Sequence, residues 1–445
     1  MPTTTQIADT AAPRRRRIGF RVLVCALLLL TLGARIGYIV ATPDYKIVHD
    51  ARDYDHHASS IATGHGYAKI GSGPHAVTAF RPPAYPYFLA GVYKISGVAR
   101  ADDVTRARAG RIANAFVGTA IVALIGLLAA QLFDRRIALA AMALAAVYLP
   151  LILVGGALMS EPLFAALMLG ALAAAIHHRR SEHRWRWVVL AGFLAGLMVL
   201  ARANALVLLA PLALAVWAGR PWRSWRNLAA PALLVFVALA TVSPWTIRNA
   251  VVLHTFVPVS TQFGSALAGT YNDMARADRR NPASWRSLRH VAQYQYLVGP
   301  PHYRQVSEAQ LDKELRAVSR RYIADHPAYV AKVAYWDTLR MLDLAGIHWS
   351  RHTASTISVT PAWSDAGVIC FWVFALLAIA GTFTLRARRL PLYVVAFPVL
   401  LYLSVVFMVF ETPRYRTGID PFIILLAALA LVGASDAVAS RRRAA

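Results

Sequence analysis

The chain has 445 residues, 58% hydrophobic and 16% charged, with a mean hydropathy of +0.47 and a formal charge of +25. That mix excludes a soluble domain of ordinary composition. The basic residues form short clusters between apolar runs and line no single soluble face, so a nucleic-acid partner is excluded as the source of the charge.

Apolar runs recur at 22–32, 112–132, 138–154, 162–176, 188–200, 205–217, 228–242, 368–382, 392–410 and 419–438. They predict an all-α polytopic membrane protein with about ten transmembrane helices. Several runs are shorter than the roughly 20 residues of a straight span, so their polar ends must reach the interface or neighbouring helices. The first contains Arg35 within an apolar stretch ending near Thr42, longer than a signal-peptide core, and reads as an uncleaved anchor.

Basic clusters at 14–17, 135–136, 179–186, 220–226, 386–389 and 441–443 fall on alternate connections, the positive-inside pattern. Both termini are therefore expected in the cytoplasm. The layout is a basic cytoplasmic N-terminus (1–17), a transmembrane catalytic module (18–247) with a first extracytoplasmic loop (43–107), and a large extracytoplasmic loop with amphipathic helices (248–364). C-terminal transmembrane helices and a basic cytoplasmic tail (365–445) follow. Ala- and Arg-rich usage reads as bacterial, which makes the inner or plasma membrane the expected location. Cys25 and Cys370 lie in separate apolar runs, so no disulfide is expected in the outer loops.

In the first outer loop, Tyr54, Ala58, Ile61 and Ala62 follow helical spacing before Gly64 and Gly66. They predict a short interfacial helix whose acidic start lies at the positive end of its dipole. Gly71, Ser72, Gly73 and Pro74 read as a loop, and Arg81-Pro82-Pro83 leads into a second interfacial helix ending near Tyr93. In the second outer loop, Ser307 with Gln310 reads as a capping box. The helix it starts carries Leu311, Leu315, Val318 and Tyr322 on one face and is stopped by Pro327. An amphipathic interfacial helix is expected over 329–344. The stretch 264–306 has little regular pattern and is expected to carry acceptor choice. No internal repeat is evident, which counts against a secondary transporter.

Asp50 and Asp53 stand just outside the first span, where a carboxylate suits general-base work on an acceptor hydroxyl. The alternative is a solvated helix start complementing the dipole. His49, Asp53 and His57 are spaced to meet on one helix face and are candidate ligands of a divalent metal, although exposed histidines are ordinary. Arg81, Arg248 and Arg414 stand where spans meet the outer face, as a clamp for a phosphate whose lipid tail stays in the bilayer, or simply as snorkelling or acid-paired cations. Glu161 and Arg202 lie near the outer ends of spans, where an unpaired ion is costly, and are expected to face inward as partners.

In order along the chain come Asp50-Ala51-Arg52-Asp53-Tyr54 with Ala58 and Gly64-His65-Gly66-Tyr67, Phe80-Arg81-Pro82-Pro83-Ala84-Tyr85-Pro86, Ser160-Glu161-Pro162-Leu163-Phe164, Leu200-Ala201-Arg202-Ala203-Asn204, Pro244-Trp245-Thr246-Ile247-Arg248-Asn249 and Pro413-Arg414-Tyr415-Arg416 before Pro421. This series resembles the C-type glycosyltransferases. The resemblance is to the bacterial branch related to protein O-mannosyltransferases and the lipid A aminoarabinose transferase (glycosyltransferase family 39-like). It implies a polyprenyl-phosphate-linked sugar as donor, inversion at the anomeric carbon, and a glycan, lipid or protein acceptor on the extracytoplasmic face.

The resemblance also implies Asp50 as the base, with Tyr54 four residues on and Asp53 as a neighbour. Arg81 would meet the lipid phosphate, Arg248 or Arg414 would assist, and Tyr54, Glu161, Arg202 and Tyr415 would support the site. Some relatives carry a metal-binding acid immediately before the position of Arg81; here it is Phe80, so no cofactor is firmly implied and a divalent metal is the alternative. A lipid or polysaccharide flippase is the competing reading. It needs charge at mid-bilayer, where this sequence has least.

Overall fold

The computed structural model describes residues 19–69, 77–181, 184–217, 225–407 and 413–444. The basic cluster at 14–17, the loop Gly71–Pro74, residues 182–183 and 220–224 of two other clusters and the end of the 392–410 run lie outside the described residues.

Helix α1 (Phe20–Ala41) leads to the first long connection, with α2 (Asp50–Ala62) and α3 (Ala84–Ile95). Next come α4 (Asp103–Leu132), α5 (Arg135–Val147), α6 (Leu149–Gly155), α7 (Glu161–His178), α8 (Arg184–Ala201), a 3-10 turn Ala203–Leu208, α9 (Leu209–Val216) and α10 (Trp225–Leu253). The second long connection carries short helices α11 (Phe263–Thr270), α12 (Asp273–Ala277), α13 (Gln295–Val298) and α14 (His302–Gln305). Longer helices α15 (Glu308–Asp325), α16 (Pro327–Met341) and α17 (Ile347–Ser355) follow, then α18 (Pro361–Thr382), α19 (Leu392–Val406) and α20 (Asp420–Ala444).

Among the described residues, six helices are long and apolar enough to cross a membrane: α1, α4, α7, α10, α18 and α20. The pair α5–α6 makes a further, bent span, and α8, the 203–216 helix and α19 are shorter apolar helices. Together these are ten apolar segments, one for each apolar run in the sequence. The expected single span 138–154 is broken by 56° at Tyr148. Pro150 explains the break: it has no N–H, and its ring would strike the carbonyl of Ala146 in a continuous helix. The Leu149 N–H donates instead to Cys370 Sγ at 3.4 Å.

Small residues let the spans close. A Cβ at Gly381 of α18 would lie 2.0 Å from the Leu426 carbonyl oxygen of α20, and one at Gly196 of α8 would lie 2.7 Å from the Ala238 carbonyl oxygen of α10. Backbones that near each other exchange side-chain volume for packing contact, the usual solution where lipid supplies no hydrophobic drive. The face of α2 bearing Ala51, Tyr54 and Ala58 packs with α3 and with Leu153, Val154, Ile357 and Val359.

The capping box at the head of α15 is half formed. Ser307 Oγ accepts the Gln310 N–H at 3.1 Å, but the Gln310 amide donates to Glu314 at 2.7 Å and does not return to Ser307. Pro327 separates α15 from α16 as expected, and the amphipathic helix expected over 329–344 spans Pro327–Met341.

Next to α20, Arg416 is fully enclosed. Its guanidinium meets Asp343 and Asp420 at 3.1 Å each, donates to the Met341 carbonyl at 2.6 Å and lies 3.4 Å over the Phe371 ring. Tyr148 donates to Asp420 at 3.0 Å and Ser350 to Asp343 at 2.7 Å, so α16, α17, α18, α20 and the α5–α6 break converge on one cation. Replacing Arg416 by Met would leave two enclosed carboxylates without their cation, a loss of about 3–5 kcal/mol. The variant is expected to show a clearly lowered Tm in detergent. An unchanged Tm would mean that the cage is not what holds these helices together.

Candidate active site

Asp50 and Asp53 occupy the first turn of α2, where the helix N-terminus favours negative charge. His49 has a left-handed backbone, φ 46°, which turns the chain sharply into that helix. Arg81 precedes Pro82 and Pro83, whose fixed φ angles stiffen the approach to α3. Its Nε and Nη2 donate to Asp53 Oδ2 at 2.8 and 2.6 Å, and Nη2 also donates to Asp50 Oδ1 at 2.6 Å. Nη1 reaches Gln262 Oε1 at 3.3 Å.

The other Asp50 oxygen, Oδ2, accepts from Arg414 Nη2 at 2.6 Å. Asp50 is thus bridged between two guanidiniums that lie far apart in sequence. Glu161, at the start of α7, pairs with Arg202 Nη1 at 3.0 Å and lies 3.7 Å from Arg414 Nε. Tyr415 lies beneath both cations, 4.7 Å from Arg202 and 5.0 Å from Arg414. The Tyr54 hydroxyl is 3.2 Å from Ser160 Oγ, and Arg81 lies over the Tyr54 ring at 5.6 Å. Three carboxylates and three guanidiniums therefore share one cluster, and their formal charges cancel.

Arg248 stands one layer away. It donates to the Thr78 carbonyl at 2.7 Å and to Asn249 Oδ1 at 3.0 Å, and it stacks over Trp245 and Tyr67. Tyr67 links the layers, because its hydroxyl donates to the Arg81 carbonyl at 2.9 Å. Sequence reasoning left Arg248 and Arg414 equivalent; in the structure Arg414 touches Asp50 and Arg248 braces the loop that carries Arg81.

Two further residues belong to the site and were not foreseen. Glu308 accepts from Thr78 Oγ1 at 2.7 Å, from the Ala79 N–H at 3.1 Å and from the Thr261 hydroxyl, while Gln262 touches Arg81 itself. The only sequence signal for Glu308 was an acid at a helix start, which helix-dipole complementarity already accounts for, and Gln262 gave none.

Burial pushes the Asp50 carboxyl up, but Arg81 and Arg414 together outweigh it and hold Asp50 well below the usual carboxylate range. Burial pushes Tyr54 up to about 12, so its hydroxyl keeps its proton at neutral pH. His57 is driven down to about 3 by burial and is neutral; its Nδ1 lies 2.9 Å from the Ala68 carbonyl, and its ring stacks 4.4 Å from Tyr67. The trio His49, Asp53 and His57 does not converge: among the described residues no three His, Cys, Asp or Glu side chains form a metal-ligand group. Asp53 is spent on Arg81 and His57 on Tyr67.

Residues 80–247 match the family described as dolichyl-phosphate-mannose-protein mannosyltransferase. No curated protein matches the chain by sequence. Among solved structures, the oligosaccharyltransferase AglB from Archaeoglobus fulgidus, in complex with an inhibitory peptide and a dolichol-phosphate, is similar with a TM-score of 0.56 at 14% identity, over 95% of this chain and 51% of that one. The same enzyme tethered to an acceptor peptide gives a TM-score of 0.55 at 16% identity, over 96% and 51%. ArnT from Cupriavidus metallidurans, bound to undecaprenyl phosphate, is similar more loosely, with a TM-score of 0.42 at 16% identity over 93% and 77%. The chain spans about half the length of AglB, and at these identities the likeness is one of fold. The match over 80–247 and the shared fold bear out the resemblance read from the sequence: this is a multi-pass membrane protein with the fold of the C-type glycosyltransferases.

Proposed function

We propose that this chain is a membrane glycosyltransferase that moves a sugar from a polyprenyl-phosphate-linked donor to an acceptor hydroxyl on the extracytoplasmic face, with inversion. The observation that carries the reading is Asp50 held between Arg81 and Arg414 at 2.6 Å each. A carboxylate paired that tightly is a poor base until a competing anion takes one of its guanidiniums. The donor phosphate is such an anion: Arg81 turns to it, and Arg248 steadies the loop from which Arg81 projects. The arriving negative charge also tips a charge-balanced cluster toward proton uptake.

In the transfer, the acceptor oxygen attacks the anomeric carbon from the side opposite the phosphate. One bond to the acceptor forms as the bond to the phosphate oxygen breaks, and the hydroxyl proton passes to Asp50. Guanidinium groups that stabilise the departing phosphate act where charge develops, so they contribute to the barrier as directly as the base. No step is assigned to a divalent metal, because Phe80 replaces an acid beside Arg81, and Asp50 and Asp53 already face guanidiniums. AglB was solved with a dolichol-phosphate, which supports a lipid-phosphate donor here. Placing the charges at helix ends and in outer loops favours a transferase over a flippase.

Asp50→Asn is expected to cut transfer by about 10²–10⁴-fold while the protein stays inserted and monodisperse, with a smaller loss for Asp53→Asn. The assay measures polyprenyl phosphate released from a panel of lipid-linked sugars, and near-normal turnover by the purified Asp50→Asn protein would overturn the assignment. The pH dependence follows from the same contacts. Asp50 is held ionised, so kcat/KM should show no acid limb from it above about pH 4. Arg414→Gln removes one of the cations that depress it. Its pKa must rise, and the acid limb must move to higher pH, because more of the base is then protonated at any given acidic pH. A pH profile left unmoved by Arg414→Gln counts against Asp50 as the base.

A further inference from the structure

Arg414 is unevenly held. Its Nη2 donates to Asp50 Oδ2 at 2.6 Å and to the Tyr415 hydroxyl at 3.2 Å, while Nη1 reaches only a weak acceptor, Met159 Sδ at 3.3 Å. The third nitrogen, Nε, is buried and has no hydrogen-bond partner among the described residues. It lies 3.7 Å from Glu161 Oε1, so about 0.8 Å of side-chain travel would bring it to an ordinary N–H···O distance.

Glu161 has capacity to receive it. The residue is enclosed at the head of α7; Oε1 takes Arg202 Nη1 at 3.0 Å, and Oε2 takes the Ser160 hydroxyl at the long distance of 3.4 Å. A carboxylate offers about four lone-pair sites, so these two contacts do not fill it. Ser160 is loosely held as well, 3.2 Å from the Tyr54 hydroxyl and 3.5 Å from Arg202 Nη1. Both cations on Asp50, by contrast, lie at 2.6 Å. The resting cluster is drawn tight around Asp50 and keeps its slack around Glu161.

We infer that Glu161 is a positioning residue that replaces Asp50 as the partner of Arg414 in the step that brings a proton to Asp50. The place of this exchange in catalysis rests on the transferase reading above; the exchange itself does not. With Arg81 turned to the donor phosphate, Asp50 Oδ1 is free to take the acceptor's proton, and Asp50 becomes neutral. Its bond to Arg414 then loses the charge assistance that supplies roughly half its strength. Glu161 still offers a carboxylate, and Arg414 closes on it, so the enclosed guanidinium keeps a counter-ion throughout. Once the proton has passed from Asp50 to water, Arg414 returns. Glu161 touches neither sugar nor phosphate in this scheme; it acts through Arg414, by giving the cation that restrains the base somewhere else to go.

Asp50→Asn is a neutral stand-in for protonated Asp50, and its crystal structure beside that of the wild type tests the exchange without turnover. The Arg414 Nε to Glu161 Oε1 separation is expected to shorten to about 3 Å. In nanodiscs, Glu161→Gln should lower Tm by about 2 °C or more beyond its wild-type effect when it is introduced into Asp50→Asn, because Arg414 then has neither carboxylate. In the transfer assay, Glu161→Gln should lower kcat about 10-fold or more and leave the donor KM within about 2-fold, with part of the rate restored by Glu161→Asp. Unchanged Arg414 geometry in Asp50→Asn, equal Tm losses in the two backgrounds, or a loss confined to KM would each overturn the inference. If the wild type turns over none of the lipid-linked sugars, the transferase reading fails, while the structure and the Tm comparison still decide the exchange.

Discussion

Six ionised side chains gathered at one end of an apolar bundle would be prohibitively costly one at a time. Mutual pairing is the condition on which the rest of the architecture depends. Asp50 and Asp53 come from the start of α2, Arg81 from the turn before α3, Glu161 from the head of α7, Arg202 from the end of α8 and Arg414 from the turn before α20. Each must arrive for the others to be tolerated, so the cluster fixes how the long connections sit on the apolar helices. An anion arriving there would meet charges already desolvated, and the exchange of partners would require little fresh desolvation.

The long connection between α10 and α18 is tied into this cluster more closely than a peripheral specificity module would be. Glu308 holds Thr78 and Ala79, the Thr261 N–H donates to the Ala79 carbonyl at 3.0 Å, and Gln262 contacts Arg81. Arg248, at the end of α10, holds the Thr78 carbonyl from the other side. Thr78 and Ala79, just before Arg81, are therefore clamped by both ends of a segment that is remote in sequence. Changes in that segment can reach the arginine both through backbone position and through Gln262.

Much of the fold was legible in the sequence, because apolar run length obeys a constraint set by the bilayer itself. Ten runs gave ten apolar segments, and the amphipathic patterns of 54–62 and 311–322 gave real helices. The bend at Tyr148 was missed because hydropathy is blind to one proline in an apolar run. The pairing of Asp50 with Arg414 was also beyond the sequence: residues 364 positions apart leave no local periodicity, and three arginines at span ends look alike until the chain is folded. Glu308 and the cage around Arg416 stayed hidden for a related reason. An acid at a helix start and an arginine near a span both have ordinary surface explanations, and only burial distinguishes them.

Arg414 and Arg416 sit two positions apart on a 3-10 turn, Pro413–Gly418. With about three residues per turn, side chains so spaced diverge by roughly a third of a revolution, one toward Asp50 and the other into its cage. The turn behaves as a keyed shaft: rotating it to move Arg414 would drag Arg416 out of contact with both carboxylates.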